Sequence, residues 1–293
     1  MNDPDGEPTR LRLDLAYDGG GFRGWARQPG LRTVQGTLEA ALARLLGGDP
    51  RLVVAGRTDA GVHATGQVAH LDLTGVQRAR LARSRTPDPI ALAPRLNGVL
   101  GQYPDLAVHR VAGAPDGFDA RFSAVWRRYE YRIADRTTGY DPLSRGRTTS
   151  VAAVLDVEAM DAAARGLRGL FDFAAYCKPR EGATTIRTLL EFDWHRDADG
   201  VVVANVKADA FCHSMVRALV GGCVAVGDGK LDPADLIDIR DARVRTNEVK
   251  VLAARGLTLT EVGYPADELL GVRAEQTRAR RQADDGEFRG RGA

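Results

Sequence analysis

In "AGRTDAGVHATGQVAHLDL", residues 55 to 73, the first of two acids, Asp59, precedes a glycine turn in a run that leads from apolar strand to apolar strand. Arg57 lies two positions earlier on the same extended segment, so the two side chains are expected on one side. A neighbouring guanidinium keeps a partly buried carboxylate ionised. An ionised, desolvated carboxylate can act as nucleophile or general base. The plainer alternative is a buried ion pair or a turn-capping aspartate without chemistry, and the residue types alone leave both open. In "RRYEY", Tyr129 and Tyr131 alternate on one strand face. A phenol there can stack on a ring or carry a proton, or fill the core. Arg217, in "HSMVR", opens an apolar helix, where an arginine holds an anion or makes an ordinary salt bridge.

Other candidate chemistry is weaker. His63 and His70 are seven residues apart across a turn, which is not metal-ligand spacing, and no second cluster supports them, so no metal is expected. Glycines 19–21 match neither GxGxxG nor GK[ST]. They read as a loop that admits close approach to the backbone rather than as a nucleotide site. The three cysteines, Cys177, Cys212 and Cys223, are odd in number and lack CxxC spacing. Reduced thiols are therefore expected.

These residues need elements to position them. Leu11, Leu13, Leu15 and Tyr17 alternate as a strand, and Thr33 caps a helix that runs to Gly47-Gly48. Strands at 51–56 and 66–73, a helix near 90–100 and a strand at 106–112 complete a β-α-β-β-α-β order. After "AGAPDGFDA" a similar order begins: a strand through 129–133, a helix over 157–169, strands at 186–195 and 201–209, helices at 212–226 and 233–240, and a closing strand at 256–264. The expected class is α+β, with a first half over 1–113, a second over 114–271 and an Arg-rich disordered tail over 272–293. The basic run Arg78, Arg80, Arg83 and Arg85, just before two prolines, reads as an exposed loop.

Composition bounds the function loosely. The 293 residues are 44% hydrophobic and 27% charged, with a net charge of +2, which suits one large domain or two smaller ones. Only four of the 41 basic residues are lysine and the other 37 are arginine. Arginine's planar fork suits phosphates and base edges, yet a GC-rich genome would leave the same bias. No apolar stretch is long enough to span a bilayer. The N-terminal "MNDPDGEPTR" has neither the basic nor the apolar region of a signal peptide, so a cytoplasmic protein is expected.

Six stretches together carry a resemblance. "GRTDAGVHATGQV" resembles the signature around the catalytic aspartate of the tRNA pseudouridine synthase A family, which places that role at Asp59. "YDGGGFRGWARQ" (17–28) with "TVQGTLEAAL", "FDARFSAVWRRYEYRI" (118–133), "DAFCHSMVRALVG" (209–221) and "ARGLTLTEVGYP" (254–265) are similar to the family's other motifs, in order, over about residues 11–270. The resemblance implies the pseudouridine synthase fold, with two ferredoxin-like halves whose antiparallel sheets flank a central cleft. It implies isomerisation of uridine to pseudouridine at positions 38–40 of the tRNA anticodon stem-loop. It also implies a homodimer that uses neither metal nor organic cofactor. By the same resemblance Tyr129 is the active-site tyrosine and Arg217 pairs with Asp59. Arg57 occupies the space left by the flipped uridine or contacts its phosphate. Two departures stand out: Phe171 replaces a usual histidine, and Tyr103-Pro104 lengthens a connection. The competing readings are a tRNA-binding protein without catalysis and a hydrolase using Asp59 as general base.

Overall fold

The computed structural model describes residues 9–82, 89–180 and 184–279. The chain forms two units, one of residues 1–125 with 262–278 and one centred on 126–261.

The first unit opens on β1 (Thr9–Tyr17), whose Leu11, Leu13 and Leu15 are fully buried while Arg12 and Asp14 between them are not. Burial of each such leucine contributes about 1.5–3 kcal/mol. Helix α1 (Val34–Leu46) starts where the Thr33 hydroxyl accepts a hydrogen bond from the Gly36 amide at 3.2 Å. It ends at Gly47, whose φ of 74° lies in the region that glycine tolerates. Then come β2 (Leu52–Val54), β3 (His63–Leu73), α2 (Gly75–Ala82), α3 (Leu92–Leu100) and β4 (Leu106–Gly113). The sheet order is β4-β1-β3-β2 with every neighbour antiparallel. That is the order of a ferredoxin-like unit.

The second unit contains β5 (Trp126–Ala134), β6 (Thr149–Ser150), α4 (Val157–Gly166), β7 (Gly169–Asp172), β8 (Ile186–Arg196), β9 (Val202–Ala208), α5 (Met215–Gly227), α6 (Pro233–Ala242) and β10 (Leu257–Gly263). Its sheet runs β10-β5-β9-β8-β7, with β6 parallel to β5. Without the short β6 and β7 this is the same ferredoxin-like order. The two units therefore share a topology although their sequences show no obvious repeat.

Several expectations change. The basic run after Thr74 is not all loop, because Gly75–Ala82 is helix α2. Thr74 Oγ1 accepts from the Gln77 amide at 3.3 Å and Gln77 Oε1 accepts from the Thr74 amide at 3.0 Å, a reciprocal cap. Arg78 and Arg80 lie on this helix; Arg83 and Arg85 are outside the described residues. The helix expected over 157–169 stops at Gly166, and β7 follows.

The units divide at Val125 and Trp126 rather than at 113. Residues 118–123 fold onto the first unit, where His70 Nδ1 accepts from the Ala120 amide at 3.0 Å. The chain returns there after β10: Tyr264 Oη donates to the Ala120 carbonyl at 2.8 Å, and Ser123 Oγ to that of Leu270 at 3.0 Å. The expected tail is helical over 270–279. Leu270 and Ala274 are buried, and Arg278 donates to Asp119 at 2.7 Å, so these turns dock. Residues 280–293 lie outside the described residues. Cys177 and Cys212 are joined in a disulfide, against the expectation of reduced thiols. The Lys178 amide donates to the His213 carbonyl at 2.9 Å, and this brings the two segments side by side.

Candidate active site

Asp59 and Arg57 lie on an irregular loop between β2 and β3. Arg57 is exposed and Asp59 half-buried, so their surroundings differ more than a shared strand face implies. The loop is braced from its buried side. Thr58 points inward and its hydroxyl shares a hydrogen bond of 2.8 Å with the Tyr17 phenol. Gln67, on β3, donates from Nε2 to the Tyr17 oxygen at 3.1 Å and to the Gly56 carbonyl at 2.9 Å. Burial pushes the Tyr17 phenol up to about 12, so it stays protonated and able to donate.

The glycine-rich segment after β1 completes the brace. The Trp25 amide donates to the Thr58 carbonyl at 3.0 Å, and the Gly61 amide to that of Phe22 at 3.3 Å. Gly24 adopts φ +88°, and a side chain there would meet the Thr58 carbonyl oxygen at 3.0 Å and the Ala60 nitrogen at 3.2 Å. A Cβ on Gly19 would lie 2.0 Å from the Val62 carbonyl oxygen. Gly19 thus admits the close approach expected of this loop, and what approaches is the protein's own backbone. His63 Nδ1 accepts from the Gly19 amide at 3.1 Å and lies 3.0 Å from the Asp18 carboxylate. His63 and His70 therefore anchor separate backbone segments. Among the described residues no group of three or more His, Cys, Asp or Glu side chains is arranged to hold a metal ion.

The second unit places Tyr129 and Arg217. Tyr129, on β5, is buried at 8% exposure, with the Phe211 ring edge-on at 5.2 Å between centroids. Tyr131, its rival two residues on, is a core residue. It has no exposure, and its phenol donates to the Ala253 carbonyl at 2.8 Å and lies 2.9 Å from Thr149 Oγ1. Arg217 is half-buried in the first turn of α5, and its Nε donates to the Leu252 carbonyl at 2.6 Å. Gly221, one turn on, lies where a Cβ would be 1.7 Å from the Lys250 carbonyl oxygen. The helix thereby seats against the 250–252 segment and holds Arg217 at its root.

Tyr17, Thr58, Gln67 and Phe211 escaped the reading of the sequence. The available signal was Gln67 itself, an amide directly before the apolar pair Val68-Ala69. The departures also find places. The Arg240 guanidinium lies 3.6 Å from the centre of the Phe171 ring. Arg32 lies against the Phe22 and Tyr103 rings and donates twice to Asp105, at 2.7 and 2.6 Å.

One unit presents a braced aspartate, the other a buried tyrosine and a tethered arginine. Two ferredoxin-like units of this topology are the architecture of the pseudouridine synthase fold. A family model described as tRNA pseudouridine synthase matches residues 163–265. The chain is 64% identical over 283 residues to tRNA pseudouridine synthase A of Leifsonia xyli, covering 94% of this chain and 98% of that protein. It is 55% identical to the same-named protein of Frankia casuarinae, covering 92% and 95%, and 52% identical to that of Streptomyces griseus, covering 92% and 93%. The chain belongs to the tRNA pseudouridine synthase A family, isomerases that convert uridine in tRNA to pseudouridine.

Proposed function

We propose that this chain isomerises uridine at positions 38–40 of the tRNA anticodon stem-loop, as a cytoplasmic homodimer, with Asp59 as the essential carboxylate. The observation that carries this reading is 64% identity to a tRNA pseudouridine synthase A across 94% of the chain. In the reaction the bond from ribose C1′ to N1 of uracil breaks, the base rotates, and C1′ rejoins at C5. The hydrogen on C5 leaves as a proton and N1 gains one, so substrate and product have the same mass and no net oxidation occurs. Asp59 supplies the negative charge that the step needs, by attack at C1′, by addition to C6, or by promoting elimination across the ribose. Arg217 orients that carboxylate and keeps it charged. Tyr129 stacks on the flipped uracil and can relay a proton through its oxygen. Arg57 fills the vacated stack or holds the phosphate.

Support for these roles comes from the motifs and from the local bracing of each side chain. No described helix is long and apolar enough to cross a membrane. The test is tritium release from tRNA labelled at C5 of uridine, which a binding protein or a hydrolase acting on the glycosidic bond would not produce. Asp59→Asn keeps the shape and removes the charge. Release should fall to background while tRNA affinity changes little, because affinity rests mainly on phosphate contacts. Turnover above about a hundredth of the parent rate would contradict the assignment, since losing acid–base catalysis alone costs roughly 10²–10⁴-fold.

A further inference from the structure

We infer that Gln67, Tyr17 and Thr58 form a positioning chain that aims the Asp59 carboxylate through the buried side of its loop. The inference rests on the proposed catalytic role of Asp59. The loop lacks regular secondary structure at 57–59, so no strand ladder fixes the direction of the side chain. What fixes the loop is a set of contacts to residues on either side of Arg57. Gln67 Nε2 uses both hydrogens, one to the Gly56 carbonyl at 2.9 Å and one to the Tyr17 oxygen at 3.1 Å. The Tyr17 oxygen, which accepts from Gln67, also shares a hydrogen bond of 2.8 Å with Thr58 Oγ1. The chain thus ends one residue before Asp59.

All three side chains are buried, with exposures of 0% for Gln67, 4% for Tyr17 and 6% for Thr58. Apolar residues of similar shape would fill the same volume without the need to satisfy polar groups. A polar chain has one property that they lack: it sets direction. The strand register supplies the geometry. Leu15 pairs with Gln67 while Tyr17 pairs with Ala64, so β3 carries one extra residue opposite the end of β1. From the other side the Trp25 amide holds the Thr58 carbonyl, and the 58–60 backbone approaches Gly24 so closely that a Cβ there would lie 3.0 Å from the Thr58 oxygen.

Displacing a catalytic group by about 1 Å can cost 10²-fold in rate without altering binding. Thr58→Val, Tyr17→Phe and Gln67→Leu each cut the chain while nearly preserving volume. Each is expected to lower the single-turnover rate of tritium release by about 10–100-fold, with the dissociation constant for tRNA within twofold of the parent. Thr58→Ser, which restores the hydroxyl, should recover most of the loss. The double variant Thr58→Val with Tyr17→Phe should be no slower than the slower single one, because both cut the same chain.

Two results would overturn the inference. One is Thr58→Val and Tyr17→Phe turning over within twofold of the parent. The other is a rate loss matched by equal losses of tRNA binding and melting temperature, which marks a merely structural role. If Thr58→Val does not fold, Tyr17→Phe decides the matter, since it removes only one oxygen. Asp59→Asn measured in parallel separates the two claims. An inactive Asp59→Asn beside active Tyr17→Phe sinks the chain alone, and an active Asp59→Asn sinks both.

Discussion

At the scale of single residues, two tyrosines two positions apart on β5 differ in their surroundings and in the roles proposed for them. Both are buried, so exposure does not distinguish them. Tyr131 already spends its phenol on Ala253 and Thr149, and its ring closes against Gly256, where a Cβ would lie 2.7 Å from it. Burial pushes that phenol up to about 12, against the pull of the Thr149 hydrogen bond and the charges of Arg217 and Arg255. Tyr129 has the Phe211 edge beside it and a motif that assigns it to the uracil. Tyr131→Phe should therefore cost about 1 kcal/mol of stability, the worth of a lost buried hydrogen bond. Tyr129→Phe should lower tritium release, because it removes the oxygen proposed to relay a proton. Thermal melts and single-turnover rates on the same two variants check both halves, and the opposite pattern would exchange their roles.

At the scale of elements, α5 and the segment before it hold Arg217, a candidate site residue, against residues 250–252. The helix packs so closely on residues 250–252 that Gly221→Ala would force its Cβ into the Lys250 carbonyl. Overpacking of this kind costs about 1–3 kcal/mol. It should also loosen the bond from Arg217 to Leu252, so that melting temperature and tritium release fall together. A parent-like melt would show that the contact yields. The segment before the helix is tied to residue 177 by the disulfide from Cys212. The third cysteine, Cys223, is fully buried and its thiol is pushed up to about 12 by that burial. Native protein treated with a maleimide under non-reducing conditions should thus gain no label. Reduced and denatured protein should gain three. Labelling at Cys177 and Cys212 without reductant would mean the bond is not formed.

At the scale of the whole molecule, acid should unfold the protein partly through Asp135. Its carboxylate is fully buried in the second unit. Burial alone would raise its pKa, but Arg196 at 2.6 Å and the amides of Leu155 and Thr138 outweigh that and hold it well below the usual carboxylate range. A group whose folded value is depressed stabilises the fold fully above its unfolded value of about 3.9, and that contribution is lost as pH falls through the folded value. Asp135→Asn should cost roughly 3 kcal/mol at neutral pH, since it leaves Arg196 without its charge partner. Its stability should change less with pH below about 4 than that of the parent. Urea melts from pH 7 down to pH 3 on both proteins test this. Parallel curves would show that Asp135 is not the group responsible.

The sequence by itself determined whatever depends on near neighbours. Alternation over Leu11–Tyr17 marked β1, Thr33 and Gly47 bracketed α1, and the order of motifs identified the family and its candidate residues Asp59, Tyr129, Arg217 and Arg57. Helix α2 was also within reach, because Thr74 and Gln77 have the spacing of a reciprocal cap, although the adjoining arginines and prolines pointed to a loop. The tertiary structure alone decided the rest. Tyr17 meets Thr58 across 41 positions and Gln67 across 50, Arg278 reaches Asp119 across 159, and Cys177 finds Cys212 across 35. Such pairings follow from strand register and chain return. Local spacing carries no record of either, because any of these residues would satisfy its own strand or helix equally well facing another partner.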